Sequence, residues 1–152
     1  MKIKIILTCL FFASLSVSSE EMEDWYKLAL KSPNPNELAY FASAGEDCPI
    51  KTSAIEDAIE GVFIRSRIKP SKSYYDNDRI YLNVILNCLK LESRHPAFTL
   101  SINFGKYNPK PSVLFDKDYG YFGVGAEGFI IQGLKRRTED AITDYLKANF
   151  NL

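Results

Sequence analysis

The sequence predicts an α+β fold: a three- to four-stranded antiparallel meander with two main helices packed on one face and short N-terminal helices. Apolar residues recur at helical spacing over residues 54–63 and 130–146, and they alternate with period two over residues 79–107. The links between the predicted strands are short, which favours antiparallel pairing of successive strands. These observations indicate two layers, a sheet and the helices that cover it.

The chain begins with the pattern of a secretory signal peptide. Lys2 and Lys4 precede an apolar run over residues 5–15, small residues follow at positions 17–19, and acidic residues come next. A run of about 11 residues is shorter than the roughly 20 that a membrane-spanning helix needs. We therefore expect residues 1–19 to be a signal peptide and residues 20–152 to form one exported domain, periplasmic or secreted, without a transmembrane segment.

Composition excludes several classes of protein. The chain has 19 basic and 19 acidic residues, so losing the two lysines of the predicted signal peptide leaves a net charge of −2. A nucleic-acid binder needs an excess of basic residues to neutralise phosphates, and a polybasic membrane-surface protein needs a similar excess. Neither partner is therefore expected.

The N-terminal part of the domain is predicted to be helical. Residues 21–31 are expected to form a first short helix that ends at the prolines of positions 33 and 35. Its predicted apolar face carries Trp25, Leu28 and Ala29. Asn36 is a candidate cap for a second short helix, which runs to about Ala44 and ends at Gly45.

A third predicted helix is marked by a cap and by apolar spacing. Thr52 or Ser53 is the candidate N-cap, and Glu56 stands three residues after Ser53, as in a capping box. The apolar positions are Ala54, Ile55, Ala58, Ile59, Val62 and Phe63. The helix is expected to end before Lys69 and Pro70, and a polar loop is expected to continue through Asp78.

Two strands are predicted over residues 79–91 and 97–107, and a longer helix is predicted at the C-terminus. The apolar face of the strands carries Ile80, Leu82, Val84, Leu86, Cys88, Phe98, Leu100, Ile102 and Phe104. A third strand over residues 113–125 is expected to be either one bent strand or a small hairpin. The apolar stripe of the last helix is Ile130, Ile131, Leu134, Thr138, Ala141, Ile142, Tyr145 and Leu146.

The cysteines predict a disulfide. Cys9 belongs to the predicted signal peptide, so Cys48 and Cys88 remain as an even pair in an exported chain. Cys48 precedes the third predicted helix and Cys88 lies near the end of the first predicted strand, and an antiparallel helix–strand pair brings those ends together. Two buried thiols and a catalytic thiol are the alternatives.

No motif in the sequence predicts a cofactor, a metal or a catalytic residue. Residues 123–128 match the glycine spacing of a dinucleotide-binding loop, but only 24 residues follow and Glu127 would oppose a phosphate. We expect a strand-to-helix corner there instead. Residues 116–127 lack the ligand and the glycine that a calcium loop requires. His95 is the only histidine, and neither cysteine has the neighbours of a zinc site or a nucleophile.

The polar face of the predicted strands is the candidate binding surface. Its members are Tyr81, Asn83, Asn87, Thr99, Ser101 and Asn103, with Tyr119 or Tyr121 as candidate additions from the third strand. Tyrosine and asparagine suit recognition surfaces because they combine contact area with polar groups. An ordinary solvated sheet face is the alternative.

These observations favour a non-enzymatic exported protein that binds another protein or an envelope component, and an immunity-type inhibitor of a toxin is one concrete version. A small secreted hydrolase acting on cell-wall material is an alternative, since carboxylate pairs meet only in space. A structural or secretion-linked subunit that assembles through a sheet edge is another.

Overall fold

The computed structural model describes residues 22–76, 78–92, 94–108, 112–150 and 152. The helices of this part of the chain are α1 (Asp24–Ala29), α2 (Thr52–Arg65) and α3 (Glu127–Phe150). The strands are β1 (Glu37–Ala44), β2 (Lys69–Ser71), β3 (Ile80–Leu89), β4 (Ala97–Lys106), β5 (Val113–Asp118) and β6 (Tyr121–Val124). The predicted signal peptide, residues 1–19, lies outside the described residues.

The strands form one mixed six-stranded sheet, so the α+β class is confirmed and the purely antiparallel meander is wrong. The order is β2-β1-β3-β4-β5, and β6 pairs with β4. β1 runs parallel to both β2 and β3, whereas β4 is antiparallel to β3, β5 and β6. The meander prediction therefore holds only for the C-terminal half of the sheet.

The predicted second short helix is strand β1, inside the sheet. Leu38, Ala39 and Tyr40 are all buried in succession, because β1 is flanked by β2 and β3 and covered on both faces there. The Tyr40 ring packs edge-on against Phe63 of α2, with centroids 5.9 Å apart. The predicted polar loop after α2 contains β2, so α2 serves as the crossover that parallel strands require.

The core lies between the sheet and the helices α2 and α3. The predicted apolar faces of β3 and β4 are confirmed, and so are the stripes of α2 and α3. Phe104 of β4 stacks on Tyr145 of α3, with ring centroids 6.0 Å apart, and both side chains are fully buried. This is the sheet face that the alternation predicted to be apolar.

The predicted third strand is one interrupted strand and not a hairpin. β5 and β6 both lie antiparallel along β4, and the interruption falls at Tyr119 and Gly120. A Cβ atom at Gly120 would lie 1.9 Å from the carbonyl oxygen of Leu100. Only glycine therefore allows this close approach between the two backbones.

Two further details of the predicted helices are wrong. Helix α1 buries Tyr26, whereas Trp25 and Leu28, predicted on its apolar face, are 48% and 66% exposed. With six residues, α1 has fewer than two turns, so the spacing over residues 21–31 includes positions outside the helix. The predicted cap of α2 is also absent: the side-chain oxygen of Thr52 accepts a hydrogen bond from the Ala44 amide at 3.2 Å.

Cys48 and Cys88 form the predicted disulfide. Cys48 lies in the connection between β1 and α2, and Cys88 is the penultimate residue of β3. The bond therefore fastens the start of the crossover to the C-terminal end of β3, the strand that lies beside β1.

Candidate binding surface

The residues predicted to form a binding surface lie on one face of the sheet, opposite α2 and α3, which we call the open face. Its predicted members are Tyr81, Asn83 and Asn87 on β3 and Thr99, Ser101 and Asn103 on β4. The register places Asn83 opposite Asn103 and Asn87 opposite Thr99. The sequence therefore identified one continuous set of neighbours, although their surroundings differ along the strands.

One end of the open face is covered by the loop that follows β2. The Tyr74 ring packs on Phe41 and Tyr81, at centroid distances of 5.3 and 5.7 Å. Tyr81 is only 7% exposed, and Asn83, which pairs with Phe41 in the register, is only 6% exposed. These two predicted members are therefore unavailable as surface contacts in this conformation.

The middle of the open face is a network of hydrogen bonds around Asp118, a residue that the sequence pattern associates only with the incomplete calcium loop of residues 116–127. Asp118 Oδ1 accepts hydrogen bonds from the amides of Ile102 and Gly120, at 2.9 and 2.8 Å. The Ser101 hydroxyl lies 2.8 Å from Asp118 Oδ2 and 3.0 Å from Asn103 Oδ1, and its single proton is donated to one of them at a time. These polar groups therefore hold β4 to the interrupted strand.

The other end of the open face is apolar and exposed. Leu89 is 63% exposed, Phe122 is 84% exposed and Val124 is 55% exposed. The pairing of β3, β4 and β6 brings them together around Ala97. We call these four residues the outer patch.

The outer patch borders a shallow depression of about 590 Å³. Asn87 and Thr99 lie beside it on the open face, and both are exposed. The patch therefore combines an apolar centre with polar neighbours that belong to the predicted surface.

The two tyrosines proposed as additions to the open face lie on its other side. Tyr121 packs against Phe98 in the core, with ring centroids 5.3 Å apart. The Tyr119 hydroxyl donates to Asp144 of α3 at 2.7 Å and lies 3.1 Å from the Tyr26 hydroxyl. Lys117 also contacts Asp144, at 2.8 Å. This cluster anchors α1 and the strand interruption to α3.

We expect this cluster to make stability decline above pH 10. Burial raises the pKa of Tyr26 to about 12, and burial likewise raises the pKa of Tyr119. The unfolded chain therefore releases these protons at lower pH than the folded chain, so stability is retained below pH 10 and lost as pH rises through the folded pKa. Tyr26 alone accounts for about 1 kcal/mol of loss between pH 9 and pH 11.

Urea denaturation at pH 9 and pH 11 measures this loss. Tyr26→Phe removes the titrating hydroxyl, so the variant should lose about 1 kcal/mol less than the original protein over the same interval. A variant that loses as much stability as the original protein would contradict the assignment.

The remaining candidate motifs have ordinary surroundings. Among the described residues, no group of three histidine, cysteine, aspartate or glutamate side chains is placed to hold a metal ion. Residues 123–128 connect β6 to α3 as a strand-to-helix corner. A Cβ at Gly125 would lie 2.5 Å from the Phe129 ring, which explains one of the glycines in steric terms. His95 lies partly buried between β3 and β4.

Comparisons with known proteins give matches among solved structures but none among families or curated sequences. No protein-family model matches the chain, and no curated protein sequence matches it. Among solved structures, the fold is similar to the crystal structure of a minor lipoprotein from Acinetobacter baumannii, with 11% identity and a TM-score of 0.37. The likeness covers 78% of this chain and 93% of the lipoprotein chain. At that level of similarity it carries no argument about function.

The length and composition of the helices bear on whether they could cross a bilayer. None of α1, α2 and α3 is both long and apolar enough to do so, and these are the helices of the described residues.

Proposed function

We propose that this is an exported, non-enzymatic protein that binds another protein through the open face. The observation that carries the proposal is the outer patch, where Leu89, Phe122 and Val124 expose apolar side chains on the sheet. Exposed aliphatic and aromatic side chains that cluster on a folded surface commonly mark an interaction site. A partner protein that covered these side chains would remove their apolar surface from water.

The surroundings of the outer patch favour a protein partner. Protein interfaces have an apolar centre, often with an aromatic anchor, and a polar rim that remains partly hydrated. Phe122 supplies the aromatic anchor, and Asn87 and Thr99 supply uncharged polar neighbours. An immunity-type inhibitor that covers a toxin is a concrete version of this function.

Export is supported by the disulfide. Such bonds persist in oxidising compartments and are rare in the cytosol. Cys48 and Cys88 are held at a Cα separation of 5.0 Å, within the range for a disulfide. The signal peptide predicted from residues 1–19 points to the same destination.

The sheet edge is a weaker candidate for assembly than the open face. One edge strand, β5, carries three charged residues in succession, Asp116, Lys117 and Asp118, and charged residues on an edge strand oppose pairing with another strand. We therefore assign binding to the face of the sheet and not to its edge.

A photo-crosslinking experiment tests the proposal. p-Benzoylphenylalanine placed at Thr99 should give one discrete crosslinked product in periplasmic or secreted material, because Thr99 borders the outer patch. The same probe at Lys147, exposed on α3, should give none. Products that are identical at both positions, or absent at both, would contradict the proposal.

A matched pair of variants strengthens the test. Phe122→Asp should reduce the yield of crosslinking from Thr99 at least about 10-fold, as expected when a central aromatic anchor is lost. Leu28→Asp is the control, since Leu28 is 66% exposed on α1 and Phe122 is 84% exposed. Both proteins should fold, so an equal effect of the two substitutions would exclude a specific role for the outer patch.

A further inference from the structure

A second recess lies on the helix side of the sheet, between the first half of α3 and strand β6. Its volume is about 620 Å³. We call it the α3–β6 cleft, and its lining residues are Tyr121, Phe129, Gln132, Gly133, Lys135, Arg136, Arg137 and Glu139. The cleft is separate from the outer patch because Tyr121 and its neighbours face the helices, whereas Phe122 faces the opposite side.

The shape of the cleft follows from helical spacing. Phe129, Gly133 and Arg137 are four residues apart along α3, so they lie one above another on the flank that faces β6. Gly133 has no side chain, and the Tyr121 hydroxyl occupies that space: a Cβ there would lie 1.7 Å from its oxygen. The cleft therefore has an aromatic end at Phe129 and a guanidinium end one turn beyond Gly133.

The lining of the cleft contains three basic residues and one acidic residue. Residues 135–137 are the only run of three consecutive basic residues in the sequence. Arg137 lies over the Tyr121 ring at 5.8 Å and contacts Asp140 at 3.4 Å. Glu139, the one acidic residue in the lining, is engaged by Arg65 of α2 at 2.8 Å.

Lys135 and Arg136 have no acidic partner within ion-pair distance among the described residues, and both side chains are exposed. Two positive charges are thus available to a ligand in a protein whose predicted mature form is slightly acidic. The open face differs from the cleft, because the charged residue at the centre of the open face, Asp118, is acidic.

We infer that the α3–β6 cleft binds a phosphate monoester carried on an aromatic body. A phosphate monoester has a charge of about −1.5 to −2 at neutral pH, which matches the two unbalanced cations. Arginine binds such oxyanions through paired N–H groups and is the residue best suited to them. The Phe129 and Tyr121 rings offer contacts to an aromatic body at the other end.

Phenyl phosphate is the probe, titrated into the protein with its disulfide intact and followed by isothermal calorimetry at low and constant ionic strength. Arg136→Ala should weaken binding at least about 10-fold, the loss expected when a charge-assisted hydrogen-bonding partner is removed. Lys147→Ala is the control: it removes one positive charge from an exposed position of the same helix, so it should change the dissociation constant less than twofold.

Two further measurements decide the chemistry of the ligand. Phe129→Ala should weaken phenyl phosphate and leave inorganic phosphate unaffected, because Phe129 is 55% exposed and supplies the aromatic wall. Inorganic phosphate should bind less tightly than phenyl phosphate. Equal affinity for both compounds, no binding of phenyl phosphate, or an equal effect of Arg136→Ala and Lys147→Ala would overturn the inference. None of these results depends on the outer patch.

Discussion

Replacing Gly120 by alanine is expected to lower the free energy of unfolding by about 3 kcal/mol, the upper part of the range for overpacking a filled site. The added Cβ would lie 1.9 Å from the Leu100 carbonyl oxygen and 2.8 Å from its carbon. Both atoms belong to the backbone of β4, so neither moves without displacing the strand. The substitution should separate β4 from the interrupted strand and loosen the Asp118 hydrogen bonds.

Urea denaturation of the purified variant measures this loss, and Gly128→Ala is the matched control. Gly128 lies in the first turn of α3, and a Cβ there would meet no atom within 4 Å. That substitution should leave stability unchanged or raise it by up to about 1 kcal/mol, because alanine is the better helix former. Equal stabilities for the two variants would show that β4 and Gly120 are not in close contact.

Loss of the disulfide is expected to lower the free energy of unfolding by about 4 kcal/mol, the chain-entropy value for a loop of this length. Cys48 and Cys88 are 40 positions apart. Without the bond, the unfolded chain regains the conformational entropy of the segment between the two cysteines. A double substitution to alanine avoids leaving a single reactive thiol, and denaturation in urea gives the difference directly.

The reducing agent dithiothreitol supplies the control for this prediction. It should destabilise the original protein by a similar amount and leave the double-alanine variant unaffected, because that variant has no bond to reduce. A double-alanine variant as stable as the oxidised protein would show that the bond does not constrain the unfolded chain.

The elements predicted correctly are those whose apolar period decides between helix and strand. Alternation over residues 79–107 defined β3 and β4, and helical spacing defined α2 and α3. In β1 that signal fails, since Leu38, Ala39 and Tyr40 are apolar in succession and the strand is covered on both faces. Alanine is a strong helix former, and Asn36 and Gly45 resemble helix caps, so local rules favour a helix where long-range pairing produces a strand.

The binding surface was predictable in composition but not in extent. The two-residue period placed Asn87, Thr99 and Ser101 on one face together with their neighbours. The burial of Tyr81 depends on Tyr74, which approaches from a loop whose path no local pattern specifies. The exposure of Phe122 depends on the register between β4 and β6, which places Phe122 opposite Thr99 on the open face.

The position of β1 between β2 and β3 has a consequence for how the molecule folds. β1 emerges first but meets neither neighbour until the crossover and the strand beyond it have followed, so its contacts are distant in sequence and slow to form. Oxidation of Cys48 and Cys88 joins the connection after β1 to the C-terminal end of β3. For a chain exported as proposed above, we expect catalysts of disulfide formation to determine how rapidly the native state is reached.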